Sequence, residues 1–175
     1  YSLKNDLNLA ESNFLNSIKI DKKFEDPIKN LYSIYLRKRK YKDLIIYAKK
    51  LIEINESNHQ YKYQLAYALE LNNNFDDAIK YYEIYLSSKD SDKKKALNNI
   101  GSIHLKKNKP RIALEFFLKS VEYGEDKVII NNIFNCYIKL RDISNTDIFF
   151  KKAEKIDENY IEFIFNKAEY LILKN

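Results

Sequence analysis

Few residues in this 175-residue chain have side chains that could carry out catalysis. The candidates are His59, His104, Cys136 and the adjacent acids Asp76 and Asp77. Histidine could serve as a general base or a metal ligand, a cysteine thiolate as a nucleophile, and paired carboxylates in acid–base catalysis. No phosphate-binding loop, GxGxxG, HExxH or GxSxG motif accompanies them. The sequence therefore predicts a protein that is not an enzyme and that holds neither a metal nor a cofactor.

Each of these candidates also has a structural interpretation. A single cysteine cannot form an intramolecular disulfide, and a thiolate metal site needs more ligands. Cys136 is therefore predicted to be a half-buried, unreactive thiol. Acidic residues favour the first turn of a helix, so Asp76 and Asp77 are predicted to open one. His59 is predicted to lie in an exposed link.

The composition favours a folded helical protein. Charged residues make up 32% of the chain and apolar residues 45%, with only two glycines and two prolines. Sheets and phosphate loops use glycine for tight turns, so its scarcity favours helices joined by short links. No apolar run approaches the roughly 20 residues that a membrane span needs. Because the chain starts at Tyr1 and contains no methionine, we expect a piece of a longer protein, from the cytoplasm or a bacterial cell envelope, whose targeting segment lies outside it.

The sequence repeats with a spacing of about 34 residues. The segment 41–44 aligns with 75–78, and the next two units follow after 35 and 33 residues. Within each unit, apolar residues recur at intervals of three and four, which predicts helices rather than strands. Short polar links divide each unit into two helices; they are predicted at 37–40, 72–74, 106–110 and 141–144. Longer links, which separate the units, are predicted at 55–58, 87–92, 124–126 and 157–159.

The third unit carries a recognisable pattern of residues. It consists of Leu97, Ile100, Gly101, His104, Ala113, Phe117 and Ser120. In this pattern the chain resembles the tetratricopeptide repeat (TPR) family. The resemblance implies an all-α fold, a right-handed α-solenoid of antiparallel helix pairs, spanning residues 1–175 as one array. The implied parts are a half repeat at about 1–24, repeats at about 25–58, 59–93, 94–126 and 127–160, and a terminal helix at about 161–175.

The family places small residues at the eighth and twentieth positions of a repeat, so that its two helices approach closely. Gly101 with Ala113, and Ala66 with Ala78, obey this rule; Tyr32 with Leu44, and Phe134 with Thr146, do not. We therefore predict that the first and fourth helix pairs are splayed or repacked relative to the second and third.

The resemblance also assigns His104 to a position that a core aromatic residue usually occupies. Most of the fifteen tyrosines and ten phenylalanines are likewise predicted to pack in the core rather than to form a base-stacking surface.

In TPR arrays the first helix of each pair lines a concave groove that binds extended peptides or helices. The positions that the resemblance assigns to this groove are rich in asparagine, whose carboxamide both donates and accepts hydrogen bonds and so suits a peptide backbone. Lysines in the third and fourth repeats favour an acidic side chain or a terminal carboxylate. The predicted peptide-binding residues are Tyr63, Tyr67, Lys95, Asn98, Asn99, Ser102, Lys106, Asn131, Asn132, Asn135, Lys139 and Asn166.

Two alternative functions stay open at this point. The terminal helix carries Phe163, Phe165, Ile172 and Leu173 beside its core residues, which suggests assembly into a larger complex or a homo-oligomer through this helix. Basic residues cluster in the links at 37–42 and 106–111, on what a solenoid would make one edge. A basic edge could contact nucleic acid or an anionic surface, but cations also belong at helix C-termini, so nucleic acid is the less favoured partner.

Overall fold

The computed structural model describes residues 2–89 and 91–174, with side chains from residue 6 onward. Ten α-helices and no strands lie in this part of the chain. Their bounds are α1 Ser2–Ile20, α2 Glu25–Arg37, α3 Tyr41–Ile54, α4 His59–Leu71, α5 Phe75–Leu86, α6 Lys93–Lys106, α7 Pro110–Val121, α8 Lys127–Leu140, α9 Ile143–Ile156 and α10 Ile161–Lys174. The links between these helices fall where the repeat spacing predicts them, so the all-α helix-pair prediction is confirmed.

The link inside each helix pair has the same backbone shape in all four pairs. Each contains one residue with positive φ, and these four residues are spaced by 34, 35 and 33 like the sequence repeat: Arg39, Asn73, Asn108 and Arg141. The next amide closes the turn by bonding to a carbonyl five residues back, for example from Lys40 to Tyr35 at 2.9 Å. This bond is typical of a Schellman motif, which satisfies the last carbonyls of the first helix and reverses the chain.

Polar side chains begin several of the helices. The side chain of Asp126 accepts bonds from the amides of Val128 and Ile129 at the start of α8, each 3.0 Å long. Asn58, Asp92 and Asp142 cap α4, α6 and α9 in the same way. Such caps satisfy amides that the helix itself leaves without partners, and they mark where α4, α6, α8 and α9 start.

The helices group into two compact units, Tyr1–Ser91 and Asp92–Asn175, called the N-terminal and C-terminal units below. In the N-terminal unit α1 packs on α2, α2 on α3, α3 on α4 and α4 on α5. Its core includes Leu31, Leu44, Leu65, Ala78 and Tyr82, each nearly or fully inaccessible to solvent. In the C-terminal unit α6 packs on α7, α7 on α8, and α10 on both α8 and α9.

The two helices within a pair approach each other more closely in some pairs than in others. The backbones of α4 and α5, and of α6 and α7, run near each other over more of their length than those of α2 and α3 or of α8 and α9. The predicted difference between the second and third pairs and the first and fourth pairs is therefore confirmed. At Gly101 of α6, an added Cβ would lie 2.7 Å from the Phe117 ring of α7. Only glycine permits this approach without a shift of the ring.

Candidate functional site

Most of the predicted peptide-binding residues lie on three first helices of the C-terminal unit. We call this set the asparagine face; it consists of Lys95, Asn98, Asn99, Ser102 and Lys106 on α6, Asn131, Asn132, Asn135 and Lys139 on α8, and Asn166 on α10. The α6 members are spaced by three and four residues, which places them on one side of the helix. Tyr63 and Tyr67 belong to α4 in the N-terminal unit.

A direct hydrogen bond joins the groove positions of α6 and α8. The carboxamide nitrogen of Asn132 donates to the Oδ1 of Asn98 at 3.0 Å, and both side chains are half-buried. The third and fourth repeats are offset by 33 residues, so Asn132 corresponds to Asn99, and this bond joins neighbouring rather than equivalent positions of the two repeats. Ser102 Oγ donates to the backbone carbonyl of Asn98 at 2.9 Å and remains on its own helix. Asn98 Nδ2 and Asn132 Oδ1 have no partner among the described residues, so the pair presents one donor and one acceptor.

Two of the predicted site residues lie beneath the surface. Asn131 is 3% exposed and Asn166 is 6% exposed, so neither faces an open groove as the resemblance implied. Asn166 donates to Asn131 Oδ1 at 2.9 Å and accepts from Asn135 Nδ2 at 2.7 Å. Asn166 is buried because α10 turns Phe163, Asn166 and Tyr170 toward its neighbours. These three asparagines therefore attach α10 to α8.

Lysines and two cavities flank the asparagine pair. A cavity of about 180 Å³ lies at one end of α8, lined by Lys94, Lys95, Asn98, Asp126, Val128 and Ile129. A second of about 380 Å³ lies at the other end, lined by Ile138, Lys139, Arg141, Glu169, Ile172 and Leu173. Lys95 forms an ion pair with Asp92 at 3.1 Å. Lys139 is exposed and, in the part of the chain that is described, has no ion-pair partner.

Arg141 was not among the predicted site residues. It follows α8 as its C-cap residue, with φ 56° and ψ 31° in the left-handed region, and it lines the second cavity. The sequence assigned it only to a link. The sequence does not distinguish it from Arg39, which occupies the same link position in the first helix pair.

The two tyrosines of α4 pack within their own unit. The Tyr63 ring lies 5.4 Å from that of Tyr82 and 5.1 Å from that of Tyr85, measured between centroids. Tyr63 and Tyr67 are both half-buried. Tyr32, on the neighbouring first helix, donates its hydroxyl to the backbone carbonyl of Gln64 at 3.0 Å. With these contacts, Tyr63 and Tyr67 resemble core aromatic residues more than they resemble an exposed ligand-binding surface.

The residues considered for catalysis do not form a site. The His104 ring stacks on Phe116, with centroids 5.5 Å apart and planes 13° from parallel. His59 is half-buried rather than exposed as predicted, because it is the first residue of α4 and not part of a link. Cys136 is fully buried rather than half-buried as predicted, and burial raises the pKa of its thiol to about 12. Among the described residues, no three His, Cys, Asp or Glu side chains lie close enough together to hold a metal ion.

The predicted basic edge is partly neutralised. Lys38 forms an ion pair with Glu11 and donates to Asn8 Oδ1 at 2.6 Å. The hydrogen bond from Lys38 lowers the pKa of the Glu11 carboxyl. Lys40 lies 5.7 Å from the centre of the Tyr35 ring. Separately, none of the helices within the described residues has the length and apolar content of a membrane span.

Comparison with known proteins adds two findings. The tetratricopeptide repeat family model matches residues 59–92 and 94–126, which are the second and third repeats. A comparison with curated protein sequences gives no match.

Several solved structures share the fold. YrrB, a TPR protein with an unusual peptide-binding site, is 16% identical with a TM-score of 0.69, over 93% of this chain and 84% of that one. MamA is 18% identical with a TM-score of 0.79, over 90% and 92%. PilF of Pseudomonas aeruginosa is 14% identical with a TM-score of 0.70, over 99% and 91%. At these identities the likeness establishes the fold of a TPR solenoid.

Proposed function

We propose that this chain, whose second and third repeats match the tetratricopeptide repeat model, binds an extended peptide segment of a partner protein on the asparagine face. The fold is in general that of a protein–protein interaction scaffold. The observation that carries the finer proposal is the Asn98–Asn132 pair, which is already oriented by its own 3.0 Å hydrogen bond. Its remaining amide donor and carbonyl acceptor match the acceptor and donor of a peptide group.

The two cavities indicate how long the bound peptide would be and which side chains it would carry. They lie at opposite ends of α8, where Val128 lines one and Lys139 the other. Eleven residues of helix separate these positions, which is ~16 Å along the axis. A strand of about five residues spans that distance. Ile138 and Ile172 in the larger cavity favour an apolar side chain, and Lys139 with Arg141 favours a neighbouring acid or a terminal carboxylate.

The buried asparagines take a supporting role in this proposal. Asn131 and Asn166 hold α10 against α8, and α10 supplies Ile172 and Glu169 to the larger cavity. Substitution of Asn131 would therefore disturb the site indirectly. The pair of Asn98 and Asn132 is the better place to test direct contact.

The test uses random heptapeptides displayed on phage and selected against the wild-type chain, with the strongest binders resynthesised. We expect the double variant Asn98→Ala/Asn132→Ala to weaken their binding at least tenfold, since two hydrogen bonds of about 1 kcal/mol each are lost. Asn159→Ala, an exposed loop asparagine, is the matched control and should leave affinity unchanged. Equal affinity for wild type and a folded double variant would remove the proposal.

A second function, assembly through α10, has its own support. Ile161, Ile164 and Leu171 are 50% exposed or more and recur at helical spacing on one side of α10. An apolar helix side of this kind is a common protein contact surface. Sedimentation velocity of the wild-type chain and of the double variant Ile164→Lys/Leu171→Lys measures self-association directly. Self-association that the double variant abolishes supports assembly, and a monomer at every concentration argues against self-assembly.

A further inference from the structure

A cleft in the N-terminal unit shares no residue with the asparagine face. It has a volume of about 490 Å³ and opens among the end of α1, the start of α2 and the end of α3. Its lining consists of Leu15, Ile18, Lys19, Lys22, Lys23, Ile28, Lys50, Glu53 and Ile54. The volume is in the range of small-molecule sites, which run from about 300 to 1,000 Å³.

The floor of the cleft is apolar. Leu15 and Ile18 come from one side of α1, Ile28 from α2 and Ile54 from α3. Ile28 is 1% exposed and belongs to the core, whereas Leu15, Ile18 and Ile54 are half-buried. These three side chains therefore keep part of their apolar surface in contact with solvent, and a bound apolar group would remove that surface from water.

The rim of the cleft is strongly basic. Four lysines, from the end of α1, the following turn and α3, face one acid, Glu53. Within the described residues none of these four lysines forms an ion pair. Elsewhere in the same unit, Lys29 and Lys38 both have carboxylate partners. Lysine can cover an apolar floor with its methylene groups while its ammonium group reaches the headgroup of a ligand.

We propose that this cleft binds a small anionic amphiphile, a free molecule with an apolar chain and a carboxylate, phosphate or sulfate headgroup. The apolar floor accepts the chain and the four ammonium groups neutralise the head. A cation would be repelled from this rim, and a purely apolar molecule would leave the excess positive charge unpaired. The limited volume of the cleft, about 490 Å³, favours one small molecule over a bilayer surface.

Dodecanoate, below its micelle concentration, is the probe, and isothermal titration calorimetry with the whole chain is the measurement. We expect saturable binding of one molecule. Dodecyltrimethylammonium and inorganic phosphate should each bind at least tenfold more weakly, because each has only one half of the required chemistry. Equal binding of the cationic amphiphile would overturn the proposal, as would binding that does not saturate.

The variant Lys22→Glu/Lys50→Glu tests the rim. It should weaken dodecanoate binding at least tenfold, and the matched variant Lys42→Glu/Lys49→Glu, whose exposed lysines lie outside the cleft, should change it less than twofold. Circular dichroism checks that both variants are folded. Ile18→Ser tests the floor and should also weaken binding. Equal losses in both lysine variants, or binding to anionic vesicles without binding of free dodecanoate, would contradict the proposed site.

Discussion

In the third helix pair, Gly101 of α6 lets the Phe117 ring of α7 lie against the α6 backbone, whereas in the fourth pair Phe134 occupies the corresponding position of α8. The Phe134 ring is fully buried and lies 6.0 Å from Phe150 and 5.9 Å from both Phe163 and Tyr170. The third pair fills its interface by close backbone approach. The fourth pair is wider, and a cluster of four aromatic rings fills the space.

This difference accounts for the extent of the family match. The residues matched by the family model belong to the second and third repeats, which have small residues at the close-approach positions. The links differ in the same way, since the positive-φ position is asparagine in the second and third pairs and arginine in the first and fourth. Asparagine adopts this conformation more readily than arginine. A divergent repeat can therefore keep the helix-pair architecture without small residues at the close-approach positions and without asparagine at the positive-φ position.

The largest expected effect comes from Phe134→Ala. Alanine is a small residue of the kind that the family rule places at this position, so sequence comparison alone would expect tolerance. The structure leads to the opposite expectation, a loss of about 3–5 kcal/mol in the free energy of unfolding, because a buried ring with three aromatic neighbours is removed. Urea unfolding followed by circular dichroism at 25 °C measures the loss. Phe165→Ala, whose ring is 71% exposed, is the control, and a Phe134→Ala protein as stable as wild type would refute this account of the fourth pair.

A smaller effect is expected from Gly101→Ala. Alanine normally stabilises a helix relative to glycine by about 1 kcal/mol, but here its Cβ would meet the Phe117 ring. Overpacking of this kind costs about 1–3 kcal/mol, so we expect a net loss of about 1 kcal/mol.

The background variant Phe117→Leu gives this prediction its control. The smaller side chain removes the ring atoms that an alanine Cβ would meet, so Gly101→Ala should stabilise the protein in that background. A change of sign between the two backgrounds supports close approach as the reason for glycine. Stabilisation by Gly101→Ala in the wild-type background would mean that the contact is not limiting.

The repeat spacing was sufficient to predict the helices and their links, because the link inside each helix pair reverses the chain in the same way at the same position of the repeat. The site was less predictable. Asn131 and Asn132 are neighbours in sequence, yet one is buried and bonded to α10 while the other joins α6. Neighbouring residues point about 100° apart around a helix, and whether each direction is covered depends on how α10 packs. That packing is a tertiary property which the helical period does not specify.

The lysine-rimmed cleft could not be inferred from the sequence for a related reason. The segment containing Lys19, Lys22 and Lys23 has the composition of a solvated helix end. Lys50 and Ile54 lie about thirty residues further along the chain, and only the packing of α1 on α2 and of α2 on α3 brings the two segments to one cleft. The basic residues and the apolar floor form a candidate site only because the helix packing brings them together.

The smallest expected effect concerns the thiol in the core of the fourth pair. Burial raises the pKa of Cys136 to about 12, whereas an unfolded cysteine ionises near pH 8.5. Between these values the unfolded chain loses a proton that the folded chain keeps, so the free energy of unfolding falls as pH rises. The loss from this thiol should be about 1 kcal/mol between pH 9 and pH 10.

Cys136→Ala isolates this contribution, because tyrosine titration occurs in both proteins and cancels in the difference. The variant is expected to be less stable at pH 7, where the loss of the buried side chain acts alone. From pH 9 to pH 10 the wild-type protein should lose about 1 kcal/mol more than the variant in urea unfolding, so the gap between them should narrow. A constant gap across this range would mean that the thiol ionises as easily in the folded chain as in the unfolded one, and that the wide fourth pair admits water to Cys136.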